Sequence, residues 1–241
     1  MITRSPAGLG VERHAPESTV VGVTERLGLF PLGSVLFPEM LLPLHIFEPR
    51  YRLLLKRSVE REEPFGVVLI RSGSEVGGPV EPHRVGTTAR VVAATPLPDG
   101  RAFIVCQGER RFEIVGVDTE REPYLVGEVR YLDDALGEGA APLAETAADA
   151  FGQYLMGILA ATKESGGEQA TEDPGAGGPR AVAYRIAAAL GIDPDDRQRL
   201  LEAPTMADLL GMEIRLLERE NVLIRDLLVR LRARGEGPPL N

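Results

Sequence analysis

The 241-residue chain contains no tryptophan, one cysteine, three histidines and two lysines. Each scarcity narrows what it can do. With aromatic residues at 5%, a platform for stacking sugars or bases has few residues to be built from. Cys106 cannot form an internal disulfide, and with His14, His45 and His83 it falls short of a zinc-finger spacing. No metal and no cofactor are therefore expected, and the composition suits a reducing cytoplasm. Lys56 follows Leu55 and Lys163 follows Thr162, so neither completes the Gly-Lys-Ser/Thr of a phosphate-cradling loop. Lys56 falls on the exposed side of an amphipathic pattern and Lys163 at the mouth of a Gly-rich stretch, where nothing would desolvate either into a catalytic base. No run approaches the roughly 18 apolar residues that cross a bilayer, and the opening Met1-Ile-Thr-Arg-Ser-Pro lacks the apolar core of a signal peptide. A cytoplasmic protein without a membrane partner is the expectation.

What the chain does have is arginine, 25 residues of it, and an uneven charge. Residues 1–25 and 26–133 each carry a net charge of −1, whereas 134–241 carry −7. The shift suggests a boundary near residue 134. Residues 1–25, with Pro6, Gly8, Gly10 and Pro16, read as a flexible N-terminal tail.

Residues 26–133 read as short strands and turns. Leu27–Leu32 and Met40–Phe47 are apolar runs, and Pro43 in the second marks an edge strand or a bulge. Pro49 opens a helix that puts Tyr51, Leu54, Leu55, Ser58 and Val59 on one face and Arg50, Arg52, Arg57 and Arg61 mainly toward solvent. Phe65–Arg71 is a β-branched run, followed by a loop from Ser72 to Pro82 and a strand from Gly86 to Thr95. Pro98-Asp99-Gly100 is a turn. Ala102–Gln107 returns from it, Gly108-Glu109 reads as the next turn, and Arg111–Val117 and Tyr124–Tyr131 complete six or seven strands. Such a pattern implies an antiparallel, partly closed barrel.

Residues 134–241 read as helices: an Ala-rich one from Pro142, a flexible loop over 163–179, a helix from Arg180 to Leu190, a short one from Asp195 to Glu202, and a long last helix over 205–234 capped by Thr205. In that last helix Leu210, Ile214, Leu217, Asn221, Ile224, Leu228 and Leu231 form a heptad seam, which admits a homodimer. Leu209, Leu216 and Leu223 broaden the stripe, which favours packing inside a globular bundle.

Catalytic chemistry finds little support. Cys106 lies in the apolar run Phe103-Ile-Val-Cys-Gln, where a buried structural thiol is the ordinary outcome. His45, between Leu44 and Ile46, reads as a structural histidine.

The run Phe30-Pro-Leu-Gly-Ser-Val-Leu-Phe-Pro-Glu-Met-Leu-Leu-Pro-Leu-His-Ile-Phe-Glu-Pro-Arg-Tyr-Arg strongly resembles the opening of the N-terminal, substrate-binding domain of Lon proteases. Gly86-Thr-Thr-Ala, Asp99-Gly-Arg, Gly108-Glu-Arg-Arg-Phe and Tyr124-Leu-Val-Gly-Glu-Val continue the match, which extends more weakly through Arg197-Gln-Arg-Leu-Leu-Glu and covers about 26–233. The resemblance implies an α+β fold: a PUA-like antiparallel β pseudo-barrel with one inserted helix, then a C-terminal helical bundle. It also implies a stand-alone bacterial member that holds polypeptide and does not cut it, since neither the ATPase loop nor a Ser-Lys pair is present.

The function expected is therefore a non-enzymatic module for unfolded or peptide-like protein segments, an adaptor in quality control with a Lon-type protease as one partner to test. The peptide would lie on a strand edge or in a groove between barrel and bundle, and the candidate residues are Pro43, His45, Tyr51 and Leu54. Two alternatives stand beside it. PUA-like folds also bind RNA, and Arg50, Arg52, Lys56, Arg57 and Arg61 form a basic strip, although the near-neutral barrel, the acidic bundle and the few aromatics speak against nucleic acid. A small-molecule sensor or a hydrolase using Cys106 is the other.

Overall fold

The computed structural model describes residues 24–74, 77–162 and 175–233. Residues 1–23 of the tail expected over 1–25, most of the loop expected over 163–179 and the chain after residue 233 lie outside the described residues; the tail ends earlier than expected, because Glu25 already opens the first strand.

Six strands and one helix come first: β1 (Glu25–Leu32), β2 (Leu41–Ile46), α1 (Pro49–Arg61), β3 (Phe65–Gly73), β4 (Val80–Pro96), β5 (Ala102–Asp118) and β6 (Val126–Tyr131). They pair in the order β2-β5-β4-β3-β1-β6, and β6 also pairs with β5, which closes a pseudo-barrel. All ladders are antiparallel but one. β1 and β3 are parallel, Leu29 beside Gly66 and Leu32 beside Leu69. A parallel pair needs a crossover, and residues 33–64, with β2 and α1, provide it.

Two strands are far longer than the alternation implies. β4 starts at Val80, so the loop expected up to Pro82 is shorter. Pro82 is tolerated because it stands where the β3–β4 register is broken, opposite Ile70. β5 runs through Gly108-Glu109 without turning. Gly108 is there for a different reason: the chain from Phe37 to Met40 crosses directly over it, its amide donates to Met40 O, and any side chain would run into the Phe37 carbonyl. A glycine demanded by close backbone approach looks, in sequence, like a glycine demanded by a turn.

Pro98-Asp99-Gly100 does turn the chain, with Gly100 at φ 79° and its amide on Leu97 O. The β4–β5 hairpin then extends past the end of β3. Its outer half, with β2 laid along β5, is a three-stranded arm in the order β2-β5-β4. α1 packs over the barrel mouth with Tyr51, Leu54, Leu55 and Ser58 inward, while Val59, expected on that face, is exposed.

The second half contains α2 (Ala140–Thr162), α3 (Gly178–Ala189), α4 (Pro194–Leu201) and α5 (Met206–Ala233). Thr205 caps α5, its Oγ1 accepting from the Asp208 amide at 3.1 Å. α2 and α5 lie side by side in the same direction: the Met206 and Ala207 amides donate to Ala135 O and Leu136 O, and Asn221 Nδ2 donates to Ala150 O at 3.0 Å. Gly157 allows the closest approach, since a Cβ there would stand 2.7 Å from Ile224. The heptad seam is thus spent within the chain, with Leu210, Leu217, Asn221 and Ile224 all buried. A dimer through this helix would have to use its flanks, where Val222, Leu223, Leu227 and Val229 are exposed.

Barrel and bundle share a core. Val35, Phe37 and Leu69 belong to the same buried cluster as α2, α3 and α5. Two arginines fasten the halves. Arg111 of β5, only 2% exposed, donates to Asp134, Asp133 O, Leu201 O and Ala203 O. Arg197 of α4 donates to Val35 O, Ala187 O and Leu190 O and lies over the Phe37 ring.

Candidate functional site

A surface of exposed aromatic and apolar side chains, with Leu41, Phe47 and Phe103, lies on the arm around β2. Period-2 alternation sets it up: in β5, Ile104 and Cys106 point into the core and Phe103 points out, 53% exposed. Opposite it in register stands His45, whose ring stacks on Phe103 at 4.6 Å. His45 is thus exposed, and its ring contacts are with Phe103 and Phe47 on the surface. Phe47 follows at 5.7 Å from His45, and Leu41 is exposed at the far end of β2.

Behind this row is a pocket of about 280 Å³ between β1, β2 and the start of α1. Phe30 and Tyr51 form its floor, ring centroids 4.2 Å apart, and Pro43, His45 and Phe47 form its rim. At its mouth Glu48 accepts from Arg50 Nε at 3.0 Å. The pocket is thus aromatic, with one ion pair beside it, and has the build of a socket for an apolar side chain.

Of the four residues singled out in the sequence, Pro43, His45 and Tyr51 meet in this pocket. Leu54 does not. It lies one helical turn on, against Gly28 and Tyr124, where a separate cavity of about 720 Å³ opens on the other side of α1. Phe47 and Phe103 were missed. The signal for Phe103 is its place out of phase with Ile104 and Cys106, which identifies an aromatic on the solvent face.

The two alternative chemistries fare differently from this surface. In the basic strip, Arg57 donates to Glu122 and to Tyr124 Oη, Lys56 pairs with Glu60, and Arg61 with Glu63. Arg52 packs against the Gly100 turn. Most of the strip's charge is balanced locally, which leaves little for a phosphate backbone. Cys106 is fully buried, and burial pushes its thiol up to about 12, so it is protonated at neutral pH. Among the described residues no cluster of three or more His, Cys, Asp or Glu could hold a metal ion, and no helix is long and apolar enough to cross a membrane.

The profile of the family described as "ATP-dependent protease La (LON) substrate-binding domain" matches residues 26–219. The chain belongs to this family. Lon protease from Phenylobacterium zucineum is 30% identical over 191 residues, covering 79% of this chain and 23% of that protein. Lon protease from Paraburkholderia phytofirmans is 30% identical over 202 residues, 82% of this chain and 24% of that protein. The chain thus spans about a quarter of the length of the curated Lon proteases it matches. The crystal structure of a Lon N-terminal domain protein from Xanthomonas campestris superposes with a TM-score of 0.56 at 26% identity, over 78% of this chain and 95% of that one. The N-terminal domain of Mycobacterium avium complex Lon protease, 15% identical, shares the fold with a TM-score of 0.57, over 82% of this chain and 98% of that one. The match of the Lon substrate-binding family takes in both the aromatic row on the arm and the helices that brace the barrel.

Proposed function

We propose that this chain is a non-catalytic module that holds segments of protein substrates, and that it serves protein quality control as an adaptor, with a Lon-type protease as its natural partner. Family membership supports substrate binding. The observation that carries the location is the solvent-exposed row Phe47, His45, Phe103 in front of an aromatic pocket, a contiguous aromatic surface of the kind that marks docking sites. In this reading an apolar side chain of the client enters the pocket over Tyr51 and Phe30, and the row covers its neighbours. The strand-built part, 26–133, and the helical part, 134–241, act as one unit, the second bracing the first. Two scarce lysines in unsuitable places argue against ATP hydrolysis or Ser-Lys cleavage by these residues.

The test uses fluorescein-labelled, reduced and carboxymethylated α-lactalbumin as an unfolded client in an anisotropy titration. Phe47→Asp and Phe103→Asp change exposed positions, so folding should survive, and together they should weaken binding about tenfold or more. Unchanged affinity in the double variant would remove the site from the arm.

A further inference from the structure

We propose that the outer edge of β4, from Val91 to Thr95, takes up an extended, uncharged polypeptide segment as an additional β-strand. This rests on the peptide-binding reading above but concerns a different place and a different kind of contact.

The arm has two open edges, and they are not equivalent. On the β2 side, residues 41–46 pair with β5 without a break. Pro43 has no N–H to give to that ladder, so its ring nitrogen faces outward. A strand added along β2 would find a carbonyl of its own unanswered in the middle of the ladder. Proline in an edge strand is a recognised way of keeping other strands away.

The β4 side carries no proline between Val91 and Thr95; its irregularities there are a bulge between Val91 and Ala93 and Pro96 at the strand's end. β3 accompanies β4 only as far as the pair Phe65–Ala89. Beyond it, β4 stays extended to Pro96, held on one side by β5 through Ala93–Val105, Ala94–Ile104 and Thr95–Phe103. Among the described residues no strand pairs with its other side there. The segment reads Val91-Val92-Ala93-Ala94-Thr95, without a charge or a proline, and Val92 is 51% exposed. A single register shift between Val91 and Ala93 leaves the three residues after it regular.

What fits such an edge follows from its chemistry. Amides and carbonyls repeating every two residues, about 7 Å apart, are matched by another extended backbone. The electrical match is equally plain: residues 91–98 bear no charge, so a charged segment gains nothing here and loses its hydration. α1 runs along the same stretch, with Arg52 against the Gly100 turn and the Glu62 carbonyl accepting from Arg90 at 3.5 Å. Val59 of that helix is exposed. An edge strand beside a helix is the setting in which peptides join sheets in other domains.

The probe is a fluorescein-labelled octapeptide alternating valine and threonine, with a twin whose alternate amides are N-methylated. The parent should bind the full chain and the twin at least tenfold more weakly, because one edge of its backbone has lost its donors. Val92→Lys and Thr95→Lys should each weaken the parent about tenfold, and Val222→Asp on α5, outside both sites, should leave it within twofold. Hydrogen exchange is the second measurement, independent of any variant's folding: on adding the parent, exchange should slow over residues 91–95 and not over 41–46. The edge proposal is overturned if twin and parent bind alike, if Phe47→Asp abolishes binding while Val92→Lys does not, or if the unfolded lactalbumin binds and the octapeptide does not. In those cases the pocket reading stands. Slow exchange over 91–95 without peptide, together with a concentration-dependent dimer in sedimentation, overturns it too and assigns the edge to a second copy. Failure of both probes to bind removes the two readings together.

Discussion

Arg111 shows how one side chain can decide whether two halves stay joined. Its guanidinium is out of water, yet it reaches Asp134 and three carbonyls across the junction of barrel and bundle. Arg111→Met should cost about 3–5 kcal/mol in denaturant unfolding, because Leu201 O and Ala203 O stay buried without their donor and Asp134 keeps only Arg180 and Tyr184. Asp134 is tuned by the same group. Desolvation alone would raise its pKa, but hydrogen bonds from Tyr184 and Arg180, and the charge and hydrogen bond of Arg111, hold it below the usual carboxylate range. Glu213 of α5 goes the other way. It is fully buried in the bundle, its carboxyl oxygens have no hydrogen-bond partner among the described residues, and desolvation pushes its carboxyl well above its ordinary value. The signs of the two contributions are therefore opposite. The unfolded chain holds the proton of residue 134 more readily than the native one, so that contribution is present above about pH 4 and lost as pH falls through the depressed native pKa. For residue 213 the native state holds the proton more readily, so stability declines as pH rises above about 4.3 toward the raised native pKa. In denaturation at pH 7, Asp134→Asn should lower the midpoint and Glu213→Gln should raise it, and the Glu213→Gln gain should vanish below about pH 4. A gain from Glu213→Gln that is the same at every pH would show that its carboxyl is not the source.

At the scale of elements, the strands and helices were largely legible, because local rules and the tertiary structure agree. Pro49 opens α1, Thr205 caps α5 and Pro98-Asp99-Gly100 turns the hairpin through contacts within a few residues. Legibility failed where a residue answers to something distant. Gly108 serves a crossing chain some 70 residues earlier, and β4 and β5 continue past the points where their composition changes because each is held by a partner over its full length. The site divides in the same way. Pro43, His45 and Tyr51 belong to the run Phe30–Arg52 that carries the family resemblance, while Phe103 meets them only through the β2–β5 register, which no local pattern contains. Pro43 itself can be tested as a guard. Pro43→Val restores an outward amide to β2, and static light scattering of the variant on mild heating should rise well before that of the parent. Equal scattering would mean that the proline does not protect that edge.

The whole molecule behaves as one body if the shared core means what it implies. Val35, Phe37 and Leu69 are buried among bundle residues, and Gln198 of α4 donates to Val85 O of β4. Unfolding followed by far-ultraviolet circular dichroism, dominated by the helices, and by tyrosine fluorescence, to which Tyr51, Tyr124 and Tyr131 of the barrel contribute beside Tyr154 and Tyr184 of the bundle, should give coincident transitions. Separate transitions would mean that the halves melt independently. The same junction has a consequence for how the chain is made. Two of the carbonyls that Arg111 needs lie 90 and 92 residues further along. At about 5–20 residues per second, a ribosome adds that length in roughly 5–20 s. For that interval the emerging barrel carries an arginine destined for burial with its acceptors not yet synthesised, so the strands reach the exit tunnel first but must wait for the helices before they can close.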